Sequence, residues 1–135
     1  MKSTVIALSS LLVAGAAQAG ALDECYQSTK TSAEVGTCLE VARTQALAQE
    51  RLAARALEAS LADLQKVTSA KGLVRAARSA ERHFEPYMKA QCALVRATYA
   101  SGSGAERAAL ACEIDLLRAR TNELKKMTPA PAAKQ

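Results

Sequence analysis

The chain has 135 residues with a formal net charge of +5 at pH 7; half of it is hydrophobic, only 3% is aromatic, and there is no tryptophan. That length holds one domain, and a core poor in rings and rich in alanine buries little area per residue, so cross-links should carry more of the stability than usual. With a single histidine, His83, and no serine in a nucleophile motif, the chain has no candidate catalytic residue, no cofactor motif and no metal set, and it does not read as an enzyme.

Met1 to Ala19 has Lys2 as a short positive start, an apolar run from Val5 to about Ala16, and the small-x-small ending Ala17-Gln18-Ala19. This is the pattern of a secretory signal peptide cleaved after Ala19, with a second acceptable site after Ala21. Its apolar run is shorter than the roughly 20 residues a bilayer span requires. Cys25 follows Leu22, Asp23 and Glu24 and so lies in no lipoprotein box. The expected mature protein is exported, most simply to a periplasm, and soluble. Without Lys2 it carries 17 basic (18 − 1) and 13 acidic side chains, a formal +4.

Four cysteines in an exported chain of this size read as two disulfides with three connectivities, which spacing alone does not separate. Hairpin symmetry favours one. Cys92 lies ten residues before Gly102 and Cys112 ten after it, so in an antiparallel helical hairpin the two thiols stand at equal height and face each other. Cys25 then pairs with Cys38. Bridging needs Cα atoms closer than the usual helix spacing of about 8–10 Å, and Ala93, Ala108, Ala109 and Ala111 are small enough to allow it. Neither pair has the short separation of a zinc knuckle.

In chain order, Leu22 to Lys30 has no helical period and is expected to be an extended or looped lead-in. Thr31 and Glu34 form a capping box, so a helix should begin there and run to about Lys66 along Leu39, Ala42, Ala46, Ala53, Leu57, Leu61 and Leu64, weakened at Gly36. Thr68 to Gly72 is the connection.

The second helix carries a seam at spacings of four and three: Leu73, Ala77, Ala80, Phe84, Tyr87, Gln91, Leu94 and Thr98. That seam puts Phe84 and Tyr87 in the core. Nearly opposite it lie Lys71, Arg75, Arg78, Arg82, Lys89 and Arg96, a cationic stripe. Pro86 should kink this helix.

After Ser101 to Gly104, Ser103 and Glu106 form a second capping box. The third helix should run to about Met127, with Leu110, Ile114, Leu117 and Leu124 on one line and Ala109, Cys112, Leu116 and Ala119 on another. Residues 128–135 read as a flexible tail. The expected fold is all-α: a small three-helix bundle over residues 20–127 with a C-terminal antiparallel hairpin, stapled by two disulfides.

The ladder Phe84, Tyr87, Ala90, Cys92, a glycine turn, Cys112, Leu116, Arg120, Thr121 and Leu124 resembles the LprI-like lysozyme-inhibitor domain family. Cys25, Thr31, Glu34 and Cys38 are similar to that family's N-terminal cysteine segment. Three departures stand out: Phe84 replaces the family's usual tryptophan, Met88-Lys89 replaces its common Arg-Asp pair, and Pro86 is atypical within that helix. The resemblance implies an exported, disulfide-bonded helical domain that acts by binding and, for at least some members, inhibits lysozyme.

Charge pulls against that implication, because animal c-type lysozymes are strongly basic and a fast inhibitor would steer them with acidic surface. Local acids at Asp23 and Glu24, or Glu113 and Asp115, are the candidates. The alternative is an envelope interaction or structural module whose cationic face, Arg75, Arg78, Arg82, Lys89 and Arg96 with Lys71, meets an anionic surface or partner. Nucleic acid is disfavoured by export and by the lack of interleaved aromatics. Oligomeric state is not legible.

Overall fold

The computed structural model describes residues 20–99 and 102–129. The expected signal segment and most of the expected tail lie outside these residues. Four helices follow in order: α1 (Ala21–Ser28), α2 (Ser32–Val67), α3 (Leu73–Thr98) and α4 (Ser103–Met127). The described residues include no strand. The three long helices are the expected bundle, and both expected disulfides are present, Cys25–Cys38 with a Cα separation of 5.8 Å and Cys92–Cys112 with 5.6 Å.

The start of the domain corrects the expected loop. Residues 21–28 are helical because Asp115 of α4 accepts a hydrogen bond from the Ala21 amide at 2.9 Å, satisfying a first-turn donor from another element. Ala21 and Cys25, one turn apart, are buried. A short segment with no periodicity of its own thus becomes a helix through one cap and one disulfide.

At α2 the capping box forms as expected. The Glu34 amide donates to Thr31 Oγ1 at 3.3 Å, and the Glu34 carboxylate accepts from the amides of Thr31 and Lys30, each at 2.9 Å. These amide bonds hold the Glu34 carboxyl below its ordinary pKa. The helix runs unbroken for 36 residues, about 54 Å at 1.5 Å per residue, straight through Gly36. Leu39, Ala46, Ala53 and Leu57 on its expected line are buried.

The hairpin turn differs in detail. Helix α4 begins at Ser103, with Gly102 as its N-cap at φ +105°, a backbone conformation that favours glycine. The N-cap is thus Gly102 and not the expected Ser103, and Glu106 bridges to Arg96 across the turn at 2.8 Å. Helix α3 continues through Pro86 to Thr98.

The cross-helix contacts fix the directions. Glu113 meets Arg43 and Leu124 packs near Leu57, so α4 runs parallel to α2; Arg120 meets Glu81 and Cys92 meets Cys112, so α3 runs antiparallel to α4. Helix α4 sits in the middle, burying Ala105, Ala108, Ala109, Ala111, Ile114, Leu117, Thr121 and Leu124.

The largest correction concerns which face of α3 packs. Met88 and Cys92 are buried, at 3% and 2% exposure, while Tyr87 is 55% and Leu94 60% exposed. The expected seam agrees with the structure at Leu73, Ala77 and Phe84, which are partly buried, and not at Ala80, Gln91 or Thr98, which are exposed like Tyr87 and Leu94. A strict 3.5-residue repeat drifts against the ~3.6-residue helix, and the disulfide decides the outcome: Cys92 must face α4, and Met88 lies one turn before it. Tyr87 and Leu94 then point away from the bundle.

Candidate functional site

Rotating α3 also moves the cationic residues. At about 100° per residue, Arg78, Lys89 and Arg96 fall within about 60° of Cys92, on the flank of the packed face and not opposite it. From there they reach acids. Arg78 bridges to Glu58 on α2, Lys89 to Glu85 one turn back at 2.6 Å, and Arg96 to Glu106 on α4. Those bonds hold Glu58 and Glu85 below the ordinary carboxyl pKa. Lys71, Arg75 and Arg82 are exposed and have no ion pair among the described residues. The expected stripe is therefore half neutralised, its remaining charge gathered at Lys71 just before α3 and at Arg75 and Arg82 in its first half.

The local acids are also engaged. Glu24 bridges to Arg118 at 2.8 Å, Glu113 to Arg43 at 2.5 Å, and Asp115 caps α1. Glu24, Asp115 and Arg118 share a groove of about 720 Å³ between α1, α2 and α4, with Gln45, Gln49 and Asn122 on its walls. Asp23, one turn from this groove's rim, is exposed. His83 lies exposed on the outer side of α3, where its Nδ1–H donates to the Ser79 carbonyl at 2.7 Å. No group of three or more His, Cys, Asp or Glu among the described residues is placed to hold a metal ion.

At the middle of the bundle lies a cluster that the sequence reading missed. Glu50 of α2, 6% exposed, stands beside Glu81 of α3 and Arg120 of α4. Arg120 donates to Glu81 at 2.6 Å, and its guanidinium carbon lies 5.6 Å from the Phe84 ring centre, a cation–π contact. Two carboxyls face one guanidinium. Burial first, and the adjoining Glu81 carboxyl second, raise the Glu50 pKa to about 7. Glu50 Oε1 and Arg120 Nε are both buried without a hydrogen-bond partner. A signal for Glu50 was available: it fills the gap between Ala46 and Ala53 in the apolar line of α2, four residues after one and three before the other.

The same geometry gives the family-like residues their work. Phe84 and Arg120 stack, the Thr121 hydroxyl donates to the Leu117 carbonyl at 2.8 Å, and Leu124 is buried at the far end of α4. Met88 fills core space, and Lys89 is bound to Glu85. Of the ladder, Tyr87 alone among the large residues is turned to solvent.

No helix among the described residues is long and apolar enough to cross a membrane. No curated protein and no solved structure matches the chain. The family described as "Lysozyme inhibitor LprI" matches residues 21–124, from the first helical residue to the last buried leucine and across both disulfides, and the chain belongs to that family.

Proposed function

We propose that this protein is an exported inhibitor that binds a lysozyme through the outer face of α3. Family membership over residues 21–124 carries the reading, because that span contains α1, α2 and α3, α4 as far as Leu124, and both cross-links. The choice of face follows from exposure. Tyr87 and Leu94 lie two turns apart, within about 20° of each other around the helix axis, and both stand clear of the bundle. An exposed tyrosine beside an exposed leucine supplies the kind of anchor on which protein interfaces concentrate their affinity.

Charge no longer opposes the reading as it did from sequence. Lys89 and Arg96, at the same height along α3, are turned to the opposite flank and bound to Glu85 and Glu106, so a basic enzyme would meet a ridge whose exposed side chains, Tyr87 and Leu94, carry no charge. The oxidised domain should lower hydrolysis by at least one lysozyme type in a stoichiometric titration. Tyr87→Ala with Leu94→Glu should abolish that loss of hydrolysis while leaving the melting temperature within a few degrees. Full hydrolysis by every type tried would refute inhibition, whereas inhibition surviving in the double variant would refute only the face.

A further inference from the structure

We propose that the end of the bundle away from the disulfides binds a single-chain fatty acid, its acyl chain between α2, α3 and α4 and its carboxylate at Arg55. A cavity of about 410 Å³ opens there, walled by Leu57, Leu61, Leu73, Ala77, Leu124 and Met127. This is within the roughly 300–1,000 Å³ of small-molecule sites, and its walls are apolar in the same way. The buried apolar cluster at this end consists, among the described residues, of Ala53, Leu57 and Leu124, with Ala54 and Leu61 packed against them. Large apolar side chains around it remain in water: Met127 is 52% exposed, Leu64 36% and Val67 81%. The space is an unfilled part of the core with a mouth, and a flexible hydrocarbon chain is the occupant that uses it.

The polar residues at the mouth give the sign of the head group. Arg55, Glu58, Glu81 and Arg120 line the cavity. Glu58 is held by Arg78 and Glu81 by Arg120. Of the four charged residues that line the mouth, the one whose charge has no opposite partner among the described residues is Arg55, which is exposed. An anionic head complements that balance, whereas a cationic head of the same chain length does not. The site is independent of the outer face of α3 and of lysozyme binding.

The test is titration calorimetry of the oxidised protein with dodecanoate below its micelle concentration, alongside dodecyltrimethylammonium, which has the same tail with the opposite charge. Saturable binding of one dodecanoate per chain is expected, with the cationic amphiphile weaker by about tenfold or more. Ala77→Trp, which fills the cavity, should remove binding. Arg55→Glu, on the exposed rim where folding is not at stake, should weaken dodecanoate by about tenfold and narrow the gap to the cationic amphiphile. No saturable binding, equal affinity for both amphiphiles, or unchanged affinity in Arg55→Glu would overturn the proposal.

Discussion

At the end of the bundle that carries Cys25–Cys38 and Cys92–Cys112, ten buried residues from all four helices form one cluster, with Leu39 and Ile114 fully enclosed. Past Glu50 the buried cluster shrinks to three residues, no disulfide reaches it, and a cavity separates the helices. Both ends are built from similar Ala-rich sequence. What distinguishes them is helix spacing: two cross-links with Cα separations under 6 Å draw the backbones together so that small side chains can close the interior. Without a staple, alanines at the same positions leave room. In this chain the disulfides set the density of the core as well as closing loops.

If that is right, truncating a leucine should cost most where packing is densest. Leu39→Ala should lower the unfolding free energy by about 3–5 kcal/mol, because the tightly packed surroundings cannot collapse into the space. Leu61→Ala, on the wall of the existing cavity, should cost about 1 kcal/mol. Urea denaturation of both variants measures the contrast; equal losses would mean that the two ends are packed alike.

Replacing Cys92 and Cys112 together by alanine should cost about 3 kcal/mol by the loop-closure relation for a bridge of this span. The loss should be local as well as global. Amide exchange should speed up around Met88 and Ile114 far more than around Leu57, eroding the difference between the ends. Unchanged exchange near Met88 would show that the staple is incidental to the packing there.

The boundary between the two ends is the Glu50–Glu81–Arg120 cluster, and it makes stability depend on pH. Folded Glu50 keeps its proton up to about pH 7, whereas in the unfolded chain it ionises near its ordinary 4.5. Between those values the folded state binds more protons than the unfolded one, so stability falls as pH rises. The loss from pH 4.5 to 8 should approach, and not exceed, about 3 kcal/mol. Glu34, Glu58 and Glu85 have lowered pKa values and act below this window, withdrawing stability as pH drops under 4.5. Glu50→Gln should flatten the fall between pH 5 and 8, leaving the variant the more stable protein at pH 8. Parallel pH profiles for the two proteins would show that Glu50 does not hold the proton.

Much of the stapled end was legible in the sequence. The thiols at equal distance from Gly102, the Thr31–Glu34 box and the line through Leu39 and Ala46 all correspond to local rules, and each appears as expected. Helix α1 was not legible, because its cap comes from Asp115, 94 residues away. The phase of α3 was only half legible: a repeat counted from Leu73 accumulates error along the helix, whereas one counted back from Cys92 would have placed Met88 inside and Tyr87 outside. The candidate interface was hidden by that same slip, since its tyrosine had been assigned to the core. The cavity had no sequence signature at all, because alanine reads as core whether or not a neighbour closes over it.

The smallest expected effect tests whether the long helix itself sets the geometry of the stapled end. Gly36 lies two residues before Cys38, in the first turns of α2, and a Cβ built on it meets no atom within 4 Å. Its backbone is helical, so alanine fits without strain and restricts only the unfolded chain. Gly36→Ala should therefore stabilise by about 0.5–1 kcal/mol, read as a shift of the urea midpoint with unchanged slope. If the glycine instead lets α2 yield so that Cys38 can meet Cys25, the variant would gain nothing, and its Cys25–Cys38 bridge would be reduced more readily by dithiothreitol than that of the parent protein. A gain in stability with unchanged reducibility would place the control of that approach in the disulfide and the Asp115 cap, leaving α2 as the rigid member against which the rest of the densely packed end is drawn.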